Sequence, residues 1–217
     1  MFDARLRPLL DVPLAAAARR LDRSWISPDR LTVTGLVTGL ASAVLASQQQ
    51  WAWALVTWVL SRGIDGVDGA LARHRAGTGS ASGGSAAGGF LDITADFTVY
   101  GAGVVGVAIG SIGAAESTGI GSWLPFAGVL FAYYVNGSAF LAFSSIAERT
   151  GHRIDDGRSF SFLGGLAEGG ETILVHCLWL ILPGSAALIA TVWACVVGVS
   201  AIQRIVVGYL TLRGPAR

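Results

Sequence analysis

Long apolar runs broken by short polar stretches dominate this chain. A spanning helix needs about 20 mostly apolar residues. Six segments approach that length: 31–47, 51–71, 90–112, 123–147, 162–182 and 185–212. Three of them are interrupted by acidic residues. Residues 3–24 follow another pattern, with Leu6, Leu9, Leu10, Leu14, Ala17 and Leu21 interleaved with arginines. This predicts a short amphipathic helix on a membrane surface, which Pro8 and Pro13 are expected to break or kink. Ser27 followed by Pro28 is a helix start, with serine as cap and proline at the first helical position. The stretch GTGSASGGSAAGG at 77–89 has the composition of a flexible connector. The pattern predicts an all-α integral membrane fold in one domain over 1–217. Residues 1–30 form an amphipathic juxtamembrane segment, and 31–212 a bundle of six transmembrane helices.

Composition agrees. Of 217 residues, 53% are hydrophobic and only 13% charged, against about a quarter charged in soluble domains. All 15 basic residues are arginine, and their placement adds a topology. They cluster before the first segment, at the end of the second, between the fourth and fifth, and at the C-terminus. The other three connections contain none. By the positive-inside rule, both termini are expected on the cytoplasmic side of the cytoplasmic membrane. The charged, proline-cut N-terminus does not read as a signal peptide. A net charge of +1 argues against a bulk nucleic-acid role. Cys177 and Cys195 lie in separate apolar runs and suggest neither a disulfide nor a metal pair.

The acidic residues carry the candidate chemistry. Asp65 and Asp68 are three apart and share a helix face, as do Asp92 and Asp96, four apart on the next helix. The connector at 77–89 is expected to make these helices antiparallel neighbours. Four carboxylates then converge at one depth near the cytoplasmic surface. A carboxylate at a membrane helix centre costs about 2.5–3.5 kcal/mol, so a compensating charge is required. An all-oxygen ligand set selects a hard divalent cation such as Mg²⁺ or Mn²⁺, and four aspartates can hold two. Gly69 leaves space beside Asp68. Arg73, one turn on, can grip phosphate oxygens as a planar fork. Cations, a gap and a guanidinium together describe a pyrophosphate site. Two other readings of the acids are a solvated helix end and a six-helix cation or proton transporter.

Asp65, Asp68, Gly69, Ala72, Arg73, Gly88, Asp92 and Asp96 resemble the signature of the CDP-alcohol phosphotransferase family, D-x2-D-G-x2-A-R-x8-G-x3-D-x3-D. The match departs in one place: 14 residues separate Arg73 from Gly88, and the extra ones fall in the Gly/Ser/Ala-rich connector, where added length is tolerated. The resemblance implies an enzyme that displaces CMP from a CDP-alcohol, usually CDP-diacylglycerol, with the hydroxyl of a small alcohol, in phospholipid synthesis. It implies Asp65, Asp68 and Asp92 as metal ligands, and Asp96 as general base that also touches a metal. Gly69 and Arg73 become contacts to the CDP group. The segment SPDRLT is similar to the family's cytidine-contacting stretch, N-P-N-x-L-T, which brings in Pro28, Asp29 and Thr32. Two divalent cations, Mg or Mn, and a homodimer are implied as well.

The acceptor alcohol is less legible. Arg149, Arg153 and Arg158 are candidates for a phosphorylated acceptor, such as glycerol phosphate or inositol phosphate, or are ordinary positive-inside arginines. Glu168 and Glu171, three apart near the start of the fifth segment, are candidates for a polyol or an amino alcohol, or for internal pairing. His176, alone in an apolar run, reads as a packed residue.

Overall fold

A computed structural model of the chain describes residues 3–23, 25–77, 85–114, 119–150 and 167–213, with side chains from residue 11 onward. All regular structure among them is helical: α1 (Asp3–Leu21), α2 (Pro28–Ser47), α3 (Trp51–Gly77), α4 (Ala86–Gly113), α5 (Leu124–Thr150), α6 (Gly169–Ile181) and α7 (Ala186–Arg213). Single 3₁₀ turns precede α5 and α7.

Four stretches are long and apolar enough to cross a membrane: Pro28–Ser47, Ala86–Gly113, Ile120–Thr150 and Pro183–Arg213. The other two expected spans qualify only in part. The 27 residues of α3 reach about 40 Å, but its second half carries Arg62, Asp65, Asp68, Arg73 and Arg75. The 13 residues of α6 reach about 20 Å, short of a hydrocarbon core of about 30 Å. The start of the expected 162–182 span lies outside the described residues.

Local chemistry explains the boundaries. The Ser27 hydroxyl accepts from the Arg30 amide at 3.2 Å and Pro28 opens α2, as the sequence predicts. Ser85 caps α4 by accepting from the Gly88 amide at 2.9 Å, so α4 starts one turn earlier than hydropathy suggests. The α2–α3 reversal is a Schellman turn. The Gln50 amide bonds Leu45 O and the Gln49 amide bonds Ala46 O, each at 2.9 Å, and Gln49 sits at φ 61°. Helix α1 runs unbroken through Pro8 and Pro13, against expectation. Its second half is docked: Leu14 and Ala18 pack with Ile26, Ala70 and Leu71. Packing of that kind offsets the backbone hydrogen bonds the prolines remove.

The bundle is organised around α2, which packs extensively on both α3 and α4. Small residues permit this. Ser61 Oγ donates to Gly35 O and Ser42 Oγ to Ala54 O, both at 2.7 Å, tying α2 to α3. On the other side, a Cβ at Gly106 would overlap the Ala43 carbonyl, and one at Gly110 the Ala46 carbonyl. Close backbone approach of this kind is a common basis of helix association in lipid. The acid-bearing α3 and α4 are neighbours, as the connector suggests, but they meet through side chains such as Arg62 with Asp96 and Trp58 with Tyr100. They flank α2 and barely approach along their backbones. A second pair, α5 with α7, leans on α4, while α6 packs on α3.

Candidate active site

The acids of α3 and α4 meet beside α2, which packs on both helices. Asp65, Asp68 and Asp92 each offer a carboxylate oxygen, and the three oxygens lie within 4.8 Å of one another. Asp68 is buried and the other two are half-buried. Hard divalent cations bind oxygens at about 2.0–2.6 Å, so oxygens around one ion lie no more than about 5 Å apart. The all-oxygen set and its spacing fit Mg²⁺ or Mn²⁺.

Two of the carboxylates, Asp68 and Asp96, are aimed by a neighbour's hydrogen bond. Thr32 Oγ1 donates to Asp68 Oδ2 at 2.6 Å, with both residues buried. That hydroxyl also lies 3.1 Å from Pro28 O. It thus orients an acid. Asp96 adjoins Asp65 of the trio, and its Oδ1 accepts from Arg62 Nη1 at 2.5 Å. The same nitrogen is 3.7 Å from Asp65 Oδ2.

Arg62 is the residue that the sequence reading missed. Counted there among the cytoplasmic-side arginines, it is buried inside the bundle, its side chain 5% exposed. Its Nη2 donates to Ser61 Oγ at 3.0 Å. Its guanidinium lies 5.4 Å from the Trp58 ring centre and 5.3 Å from that of Tyr100. Trp58 in turn stacks on His176 with centroids 4.5 Å apart, and its indole N–H donates to Ile173 O at 3.3 Å. His176 is thus a packed residue, as expected, with Nδ1 2.9 Å from Thr172 O. The signal was present: Arg62 precedes Asp65 by one helical turn, so it points to the same face, one turn deeper. Arg204 is also buried within a helix, under Phe140, and neither arginine marks a connection.

The remaining candidates fall into three groups. Arg73, exposed, folds back over Gly69: a Cβ there would stand 3.2 Å from its Nη1. Gly69 therefore makes room for the guanidinium. Arg73 borders an open groove of about 320 Å³ between α1 and α3, shared with Asp11, Ala15, Ala70 and His74. Asp29, in the first turn of α2, lies against Gly88 of the motif, its Oδ1 3.1 Å from where a Cβ would sit. Asp29 of α2 thus adjoins Gly88 of α4, about one turn before Asp92, while Thr32 of the same helix bonds Asp68. Glu168 stands at the N-cap position of α6 and Glu171 lies in its first turn, while Arg149 is exposed in the last turn of α5. Arg153 and Arg158 lie outside the described residues.

Helix α1 braces the motif helix from outside. Leu14 methyls lie 3.2 Å from where a Cβ would sit on Gly66, between the two acids of α3. Arg75 fastens the far end of α1, bonding Asp22 at 2.8 Å and the carbonyls of Arg23 and Ile26 at 3.0 and 2.9 Å.

A helical membrane bundle with this carboxylate cluster defines a class, and the comparisons give it a family. A family model for CDP-alcohol phosphatidyltransferase matches residues 25–200. The inner membrane protein YnjF of Escherichia coli strain K12 is 38% identical over 223 aligned positions, covering all of both chains. The chain belongs to the CDP-alcohol phosphatidyltransferase family. Its fold is also that of phosphatidylinositol phosphate synthase (PgsA1) from Mycobacterium tuberculosis. A structure with CDP-DAG bound matches at TM-score 0.68 and 20% identity, covering 90% of this chain and 93% of the other. A second, with manganese and citrate, matches at TM-score 0.68 and 21% identity, covering 90% and 88%.

Proposed function

We propose that this chain displaces CMP from a CDP-linked lipid donor, CDP-diacylglycerol, by attack of a small polar alcohol, and so makes a phospholipid or its precursor. The carrying observation is the convergence of Asp65, Asp68 and Asp92 from two helices, at the family's motif positions, on one cation-sized space. The structural neighbour with CDP-DAG bound and its counterpart with manganese support the donor and the metal class.

The residues divide the work as follows. A divalent cation held by the three aspartates supplies positive charge for the diphosphate and for departing CMP. Arg73 and Gly69 flank the phosphates from α3, and Asp29, with Pro28, borders the nucleotide from the start of α2. Asp96 receives the acceptor's hydroxyl proton. An alcohol is a far weaker acid than a carboxyl group, so the transfer accompanies bond formation to phosphorus. Arg62 holds Asp96 in place. The acids stand toward the ends of α3 and α4 that the positive-inside rule places on the cytoplasmic side, where a lipid-anchored donor and a soluble acceptor can meet. Glu168, Glu171 and Arg149 are the described candidates for the acceptor, and the protein acts as a homodimer.

The test is CMP release by the full chain in detergent or vesicles, from CDP-diacylglycerol with a panel of alcohols, with and without Mg²⁺ or Mn²⁺. We expect divalent-dependent CMP formation with one class of acceptor, and its loss in Asp96→Asn. Divalent-dependent cation flux without CMP formation from any CDP-alcohol would support the transporter reading instead.

A further inference from the structure

We propose that a single water molecule is held inside the bundle where α2, α3, α4 and α6 meet, bonded to His176 Nε2. The cavity there has a volume of about 10 Å³, close to the smallest space that holds one water. Its wall includes Ser42 of α2, Trp58 of α3, Gly103 of α4 and His176 of α6. Gly103 keeps it open, since a Cβ there would stand 3.2 Å from His176 Nε2. His176 is only 1% exposed, and its Nε2 bonds nothing among the described residues.

The polar groups around the cavity decide what fits. His176 Nδ1 lies 2.9 Å from Thr172 O. A carbonyl only accepts, so Nδ1 carries the ring proton and Nε2 is a bare acceptor. A doubly protonated ring would put a net charge among apolar side chains, which is costly. The Tyr100 backbone carbonyl faces the ring as well, but it is another acceptor. Ser42 Oγ donates its proton to Ala54 O at 2.7 Å, which leaves it an acceptor too. The Trp58 indole N–H donates to Ile173 O at 3.3 Å. His176 Nε2, Ser42 Oγ and the Tyr100 carbonyl thus all accept, with no described donor left among them. A neutral molecule of this size with two protons to donate is water, and buried waters bond two to four such groups. Its bonds tie the short α6, which otherwise packs mainly on α3, to α2 or α4.

The test is nuclear magnetic resonance of the full chain in lipid nanodiscs, with labelled histidine and solvent water as the probe. Substituting His74→Gln and His152→Gln leaves His176 as the one histidine and assigns its signals. We expect a protonated Nδ1, a hydrogen-bonded Nε2, and a water cross-peak to the carbon-bound ring protons beside Nε2, which do not exchange. In Gly103→Ala the added methyl takes the water's place, so the cross-peak should vanish and amide exchange along α6 should quicken, with α5 unchanged. A proton on Nε2, or a protonated Nδ1 without the water cross-peak, overturns the proposal. So does a Gly103→Ala chain that melts like the wild type and keeps the cross-peak. Loss of the cross-peak with unchanged exchange in α6 overturns the tie to that helix. Should Gly103→Ala not fold, the spectrum of the native cavity decides alone.

Discussion

Replacing Thr32 with valine removes one hydroxyl and keeps the side-chain volume. In the native chain that hydroxyl donates to Asp68 Oδ2 at 2.6 Å, and both residues are only 5% exposed. A hydrogen bond to an ionised group contributes about 1.5–3 kcal/mol, and 1.4 kcal/mol is a factor of ten. The bond also fixes where Asp68 points. Loss of such an outer partner of a metal ligand lowers affinity by roughly 10–100-fold. We therefore expect Thr32→Val to weaken Mn²⁺ binding by about tenfold or more. CMP release at saturating Mn²⁺ should recover most of its rate, because valine leaves the three ligands in place. Thr32→Ser, which restores a hydroxyl, should recover most of the affinity. Calorimetric titration of Mn²⁺ into each purified protein gives the comparison, with melting temperature as the folding control. A valine variant that binds Mn²⁺ within twofold of wild type would refute the argument that Thr32 aims Asp68.

Three further predictions concern packing. Gly106→Ala should lower the melting temperature strongly, by about 1–3 kcal/mol of stability or more, because its Cβ meets the Ala43 backbone carbonyl. Gly101→Ala on the same helix meets nothing within 4 Å and should be neutral or stabilising by about 0.5–1 kcal/mol; equal losses at both sites would contradict the α2–α4 contact. Arg75→Met removes the bonds to Asp22 and to the 23 and 26 carbonyls, so amide exchange across α1 should quicken while α4 is unchanged. Gln49→Gly should raise stability by about 1 kcal/mol, since Gln49 holds a φ of 61°, and thermal melts should register the gain.

Much of this arrangement was legible in the sequence because lipid imposes simple rules. Apolar length gave the helices. Ser27 and Pro28 gave the start of α2, and the i, i+3 and i, i+4 aspartates gave the faces that meet. What escaped depends on contacts between helices. Nothing in the 77–89 connector reveals that α2 packs on both α3 and α4, because a long loop does not fix how closely its helices' backbones approach. Arg62 read as a flanking charge because hydropathy sees position along one helix only. The ring faces of Trp58 and Tyr100 that receive it come from two helices. Ser85 was absorbed into the low-complexity connector, although its hydroxyl begins α4. Thr32 was noticed, but its bonding partner lies 36 residues away and cannot be read from a local motif.

Packed on both acidic helices, α2 works like the fixed jaw of a caliper. The reach from Asp68 to Asp92 is set by how closely α3 and α4 seat against Gly35, Gly39, Ala43 and Ala46. Thr32 and Gly39 are seven residues apart, about 10 Å along the helix axis. Widening α2 there, where a Cβ on Gly39 would strike Val99 of α4 and the Ser61 hydroxyl of α3, spreads both neighbours at once. The span available to a small, rigidly coordinated ion such as Mg²⁺ is thus governed from the middle of the membrane by residues that bind nothing. An enlarged α2 would favour ions of longer bond length, and ion preference becomes a readout of helix spacing.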